Sequence, residues 1–326
     1  MKKYIIIIAL FYNSISYSQT AEEYNKTGIS KSNSKDYTGA ISDYSKAIKL
    51  NPNFINGYYN RAIAKSYIGD YSGAIEDNTK VIELKGRENY AYIHRGECKH
   101  NLQDYNGAIA DYNKAIEIDP KYSGAYRSRG TSKANLQDFN GAIADYNMAI
   151  KLFLRDNSSY CNRGLAKAEL HDYIGAIADY TKAIELNTHD SDCKAYYYRG
   201  MSKAKLKNYS GAITDYTKAI EKKPSNPYFS QNKGISDYDK DDDLIPNESM
   251  AYYYRGISKA NLLDYKGAIA DYTIAIEINP DNGEAYYFRG ISKYKLALKN
   301  EACQDFSKSE VLGYNKASDF INKNCK

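Results

Sequence analysis

His94, Glu97, Cys98 and His100 fall within one short segment and are the ligand types from which a transition-metal site is built. On a helix, however, their side chains spread over different faces, where a single ion cannot collect them. A second candidate is acidic. Asp237, Asp239, Asp241, Leu244 and Glu248 imitate part of the ligand spacing of a calcium loop, but Asp242 stands where that loop needs glycine for its sharp turn, Pro246 follows, and no helical pattern precedes it. This segment is expected to be a solvated acidic loop. No phosphate-cradling loop, paired-acid arrangement or nucleophile elbow appears elsewhere. The residues therefore point to a protein that is not an enzyme, with no catalytic, metal-ligating or cofactor-binding residues assigned.

The elements that carry these residues repeat. Gly-Ala-Ile begins at Gly39, Gly73, Gly107, Gly141 and Gly175, a constant step of 34 residues, and recurs at Gly211 and Gly267. A unit of this length cannot bury its own apolar surface and must stack on copies of itself. With the alanine of that tripeptide numbered 20, eight units start near Ala21, Ile55, Asn89, Ser123, Asn157, Cys193, Ser249 and Gly283, the last with Glu301-Ala302-Cys303 in its place. Position 4 is tyrosine in all eight. Position 8 is glycine in seven, with Ala62 the exception, and position 24 is aromatic in seven, with Asn78 the exception. Glycine within a helix costs ~1 kcal/mol against alanine, so its recurrence implies close approach of helices.

Apolar residues at three- and four-residue intervals predict a first helix over positions 2 to 14 and a second over 18 to 31. Asp36, Asp70, Asp104, Asp138, Asp172 and Asp264 at position 16 are N-cap candidates for the second helices, and Pro52, Pro120, Pro224 and Pro280 at position 32 mark their ends. Two steps break the period. The step from Gly175 to Gly211 is 36, absorbed by a longer turn near Ser191. The step from Gly211 to Gly267 is 56, an excess of 22, which places an insertion at 225–248.

Tyr196, Gly200, Ala212, Tyr216, Ala219 and Pro224 fit, within one unit, the pattern of the tetratricopeptide repeat (TPR) family. The chain resembles that family over nearly all of its length, with the slightly longer pentatricopeptide unit as a remote alternative. The resemblance implies an all-α fold, a right-handed α-solenoid of about eight TPR helical hairpins, with units one to six at 19–224, the acidic insertion at 225–248, units seven and eight at 249–314 and a capping helix at 315–326. Two positions depart from the family pattern. Position 7 is arginine from Arg61 to Arg289 and position 11 is lysine from Lys31 to Lys293, while position 23 is aspartate from Asp43 to Asp305. Cations four residues apart repel unless an anion lies between them, so these three positions are expected to form a repeating ion-pair ladder.

The 45 Lys+Arg and 40 Asp+Glu leave a net charge of +5, no footprint for nucleic acid. Twenty of the 36 tyrosines occupy positions 4, 17 and 24, where packing with the hydroxyl at the surface is expected. At the start, Lys2 and Lys3, the apolar run Tyr4 to Tyr12 and a polar stretch to Ser18 have the three zones of a signal peptide at 1–18, the alternative being an uncleaved anchor. The expected mature protein is periplasmic or secreted and has no membrane span once the signal is removed. Export permits disulfides. Cys303 and Cys325, the latter in a segment with an apolar face of Ala317, Phe320 and Ile321, are a candidate bridge, against two free thiols; Cys161 with Cys193 is another pairing, and Cys98 a small packing residue.

In TPR proteins positions 2, 5, 9 and 12 of the first helices line the concave wall. That resemblance puts Tyr197, Tyr253 and Tyr287 at position 5, with Met201, Ile257 and Ile291 at position 9, into a groove for a peptide or protein segment; the alternative is that they pack against neighbouring first helices. Some members of the family grip a terminal carboxylate, and Arg127, Asn162 and Lys194 match part of that clamp, although Thr131 and Tyr198 do not. The function expected is a protein-binding scaffold, with a glycan-binding module using groove tyrosines as its rival. Partner identity and oligomeric state are not written in the sequence.

Overall fold

A computed structural model of the chain describes residues 20–186, 193–222 and 248–325. The expected leader at 1–18, the insertion up to residue 247 with its calcium-like spacing, the turn near Ser191 and the Cys193 side chain lie outside what is described. The described residues are organised as α-helices, without strands, in two compact units, residues 1–98 and 99–326. The first holds α1 (Ala21–Asn33), α2 (Tyr37–Leu50), α3 (Ile55–Tyr67), α4 (Tyr71–Glu83) and most of α5 (Glu88–Asn101). The second holds α6 (Tyr105–Ile118), α7 (Ser123–Asn135), α8 (Phe139–Leu152), α9 (Asn157–Glu169), α10 (Tyr173–Leu186), α11 (Cys193–Lys205) and α12 (Tyr209–Glu221). It continues through α13 (Glu248–Asn261), α14 (Tyr265–Ile278), α15 (Gly283–Lys295), α16 (Lys299–Val311) and α17 (Lys316–Asn324). The fold is an all-α array of stacked repeat hairpins.

The helices start about one residue ahead of the expected bounds because the aspartate at position 16 acts directly on the third residue of the second helix. Gly39, Gly73, Gly107, Gly141, Gly175 and Gly267 each donate their amide to the aspartate carboxylate at 2.9 Å. Asn208 does the same for Gly211 at 3.0 Å. A Cβ on Gly107 would stand 2.0 Å from Asp104 Oδ2, so the glycine of Gly-Ala-Ile makes room for the cap. The preceding turn is closed by a residue with positive φ, such as Gln137 (62°) or Leu263 (64°), and by amides such as Asp138 N returning to Lys133 O at 2.9 Å.

Position 8 answers to position 24 of the same unit. A Cβ on Gly164 would lie 2.8 Å from Tyr180 Cε1, and one on Gly256 2.8 Å from Tyr272 Cε1. The one unit with alanine at position 8, Ala62, is the one with a small side chain at position 24, Asn78. Both are buried. Asn78→Tyr alone is expected to cost about 2 kcal/mol by overpacking against Ala62, and Ala62→Gly in the same chain to recover most of it. Thermal melts of the two single variants and the pair measure the coupling; additive effects would contradict it.

The ladder is present and does more than neutralise charge. Arg129 Nε and Nη2 donate to both oxygens of Asp145 at 2.9 and 2.5 Å, while Nη1 reaches Asn113 of the preceding unit at 2.6 Å. Lys133 Nζ adds a bond to Asp145 at 2.8 Å. The arrangement recurs at Arg163, with Asp179 and Asn147, and at Arg289, with Asp305 and Thr273. Each guanidinium also lies over the tyrosine at position 4, at 5.5 Å for Arg129 over Tyr126. The hydrogen bonds it donates to Asp145 hold the Arg129 guanidinium above its ordinary pKa even though burial opposes the charge. Across the insertion, Arg255 Nη1 still meets Thr217 at 3.0 Å, and α12 packs on α13. The 22 extra residues leave the repeat stacking unbroken.

Position 24 corrects the expectation of a polar tip at the surface: Tyr146, Tyr180, Tyr216 and Tyr272 are at most 1% exposed. Tyr146 Oη donates to Thr131 Oγ1 at 3.3 Å, and Tyr272 Oη is buried with no hydrogen-bond partner. At the far end α17 lies against α16 through Ala317, Phe320 and Ile321, and Cys303 is disulfide-bonded to Cys325. A bridge closing a loop of this size contributes about 3 kcal/mol in the chain-entropy account.

Candidate functional site

Within the second unit, successive first helices touch one another, α7 with α9, α9 with α11, α11 with α13 and α13 with α15. No comparable contact joins successive second helices among the described residues. Elements that approach on one side and separate on the other form a curved row, so the first helices make its inner wall.

The structure divides the expected groove residues into two groups. Tyr197 and Tyr253 are 4% and 6% exposed, which corrects their placement as surface rings. The Tyr197 ring meets Tyr216 of its own unit at 5.9 Å and Tyr254 of the next at 6.1 Å. Tyr253 meets Tyr272 at 6.0 Å and Phe288 at 6.2 Å, and its hydroxyl donates to Glu284 at 3.0 Å. Burial raises both phenols well above the ordinary tyrosine pKa. Rings held this way offer no face to a sugar, which takes Tyr197 and Tyr253 out of the glycan alternative. Met201, Ile257, Tyr287 and Ile291 remain half-buried on the row, with Tyr287 and Ile291 packed against the end that α17 covers.

The sequence reading missed position 6. Tyr198 stacks on Tyr180 at 6.1 Å, Tyr254 on Tyr216 at 6.3 Å and Phe288 on Tyr272 at 6.4 Å, each bridging one unit to the next while staying half-buried. The signal was available in the three aromatics in succession at Tyr196 to Tyr198, Tyr252 to Tyr254 and Tyr286 to Phe288. In units six to eight the wall is thus aromatic at position 6 and aliphatic at position 9. In unit four it is polar, with Arg127 and Thr131, while unit five sets Asn162 at position 6 and the aliphatic Leu165 at position 9.

Arg127 and Asn162 come onto the neighbouring helices α7 and α9, but Arg127 already meets a carboxylate of its own chain. Its Nη1 donates to Asp156 at 2.8 Å, and the 3% exposed Asp156 accepts in turn from Ser159 N at 3.2 Å and Oγ at 2.7 Å. Asn162 Nδ2 is 3.5 Å from Thr131 Oγ1. Lys194 lies on α11, half-buried. Arg127 thus already has a carboxylate partner in Asp156, a contact that the sequence spacing did not reveal.

Of the four residues resembling a metal cluster, two meet. His94 Nδ1 is 3.0 Å from Glu97 Oε2, and its Nε2 is 3.0 Å from Tyr59 Oη. Cys98 is instead buried beside Ala62 and Ala74, where burial pushes its thiol up to about 12, and His100 Nδ1 is 2.8 Å from Ser132 Oγ. Among the described residues no group of three His, Cys, Asp or Glu is placed to hold a metal ion, and no helix is long and apolar enough to cross a membrane.

Models of the tetratricopeptide repeat match residues 90–122, 158–190 and 193–226, and a TPR repeat model matches residues 34–65. A comparison with curated proteins finds no match. Among solved structures, the C-terminal part of a TPR repeat-containing protein from Cytophaga hutchinsonii is similar with 19% identity, covering 80% of this chain and 97% of that one, at a TM-score of 0.58. YrrB, described as a TPR protein with an unusual peptide-binding site, is similar with 18% identity over 62% of this chain and 92% of that one, at a TM-score of 0.50. At these identities the likeness is one of fold.

Proposed function

From the tetratricopeptide repeats that this chain carries, we propose that it is a non-enzymatic scaffold holding a peptide or protein segment against the first helices of units six to eight. The observation that carries this reading is the half-buried row Met201, Ile257 and Ile291 beside the ring edges of Tyr198, Tyr254 and Phe288, a contiguous set of apolar side chains on the inner wall. YrrB, a protein of similar fold, has a peptide-binding site by its description. The buried Tyr197 and Tyr253 serve this wall by fixing the position-6 rings. The reading takes in no cofactor and no nucleic acid.

The test is selection of ligands from a displayed random-peptide library, followed by Met201→Glu and Ile257→Glu. Charge in the row is expected to weaken each selected peptide by about 2 kcal/mol or more, roughly thirtyfold. Selected peptides that bind both variants as well as the parent chain would refute this site. We also propose export to the periplasm or medium, supported by the three-zone leader at 1–18 and consistent with the bonded pair Cys303 and Cys325. Amino-terminal sequencing of the mature protein is expected to begin at Gln19; a chain retained in the cytosol with Met1 in place would overturn it.

A further inference from the structure

α17 stands where the first helix of another repeat would begin. Ala317 is fully buried, like Ala285 at position 3 of the preceding first helix, and the Phe320 ring lies 4.2 Å from Phe306 as the position-6 ring of Phe288 lies on Tyr272. In that register Ile321 falls in the place of the ladder arginine and Cys325 in that of the ladder lysine. Where the other first helices tie down to an aspartate, this one ties to Cys303 on α16. A helix of nine residues is too short to persist in water by itself. Its place therefore depends on a few apolar contacts and one covalent bond.

That bond is open to attack. It borders a cavity of about 670 Å³ whose wall includes Lys299, Gln304 and Ser307 as well as both cysteines. Lys299 precedes Cys303 by one helical turn, and the amide end of α16 has no side-chain cap, since Leu298 occupies that place. The Lys299 cation favours thiolate at Cys303, which makes it the better leaving group.

We propose that Cys303–Cys325 is a thiol-exchange site for a dithiol, and that its opening releases α17 from the end of the repeat array. The dithiol's thiolate attacks Cys325 Sγ, the sulfur–sulfur bond breaks, and its electron pair leaves on Cys303 Sγ. The second thiol, after losing its proton, attacks its partner sulfur in the mixed disulfide and expels the Cys325 thiolate, which takes up a proton. The dithiol ends as a disulfide and the two cysteines end reduced. Release uncovers Phe306, Tyr287 and Ile291, against which α17 packs. The exchange itself needs no ligand on the inner wall, although Ile291 belongs to both surfaces.

The experiment treats the full chain with dithiothreitol under folding conditions, counts alkylated cysteines by mass, and follows amide exchange of residues 316–324. Both cysteines are expected to be alkylated while the helical circular dichroism persists, and protection of α17 to fall by roughly a hundredfold, with α13 to α15 unchanged. The variant with Cys303→Ser and Cys325→Ser is expected to show the same exposed α17 without reductant. A bond that yields only on global unfolding, or an α17 that stays as protected in the reduced protein and in the double variant as it is in the oxidised protein, overturns the proposal.

Discussion

As pH rises past 10.0, the ordinary tyrosine pKa, the second unit is expected to lose stability steeply and unfold. Burial holds the phenols of Tyr180, Tyr197, Tyr216, Tyr253 and Tyr272 above that value in the folded state, and the Glu284 carboxylate beside Tyr253 adds to the effect. Below pH 10.0 the phenols are neutral whether the chain is folded or not, so their contribution is fully present. Above it the unfolded chain ionises first and binds fewer protons than the folded one, and stability falls until the folded pKa values are reached. Each phenol contributes a slope of about 1.4 kcal/mol per pH unit, and all five together roughly 7. A domain of ordinary stability, about 5–15 kcal/mol, does not survive two such units. Tyrosinate absorbance and circular dichroism recorded on one titration should change together. Phenols that ionise singly near pH 10.0 with the helices intact would show that the rings are accessible.

Arg255→Ala is expected to destabilise the protein by about 3 kcal/mol, because it removes two bonds to the 2% exposed Asp271 and the bond to Thr217 that closes the step across the insertion. Lys259 Nζ remains 2.8 Å from Asp271, which keeps the loss at the lower end for a broken buried pair. Arg255→Lys should not restore it, since one ammonium cannot supply three divergent donors. Lys218→Ala is the control. Its partner Glu221 lies at 2.8 Å, but both side chains are about half exposed, and the change is expected to leave the melting midpoint where it is in the parent protein. Denaturant melts of the three variants in low and high salt would measure this, with the Arg255 effect surviving salt. Equal losses for Arg255→Ala and Lys218→Ala would mean that the ladder carries no special weight.

The period of 34 was enough to set the hairpins, their caps and the ladder, because each depends on residues at fixed offsets within a unit. Asp138 caps Gly141 three residues on, and Arg129 meets Asp145 sixteen residues on, offsets that recur in most copies. What lay between units was harder to read. The burial of Tyr197 depends on Tyr254, 57 residues away across the insertion, and the neutralisation of Arg127 depends on Asp156 in the following linker. Both contacts are set by how one unit rests on the next, and the alignment of units to a common pattern erases such differences. The pair Ala62 and Asn78 shows the opposite case: two exceptions in one unit were visible in the sequence, and their shared cause is a methyl group that a tyrosine ring would not tolerate.

The hydrogen bond from Arg255 to Thr217 has a further consequence for the stretch that the two residues flank. Neighbouring hairpins are joined there by side chains and by the seating of α12 on α13, so their association does not rest on the peptide connection alone. The polypeptide could be severed at that place, or given new termini there, and the two fragments would still reassemble through their matching surfaces. A change in the length of this stretch is likewise expected to leave the seating of α12 on α13 in place.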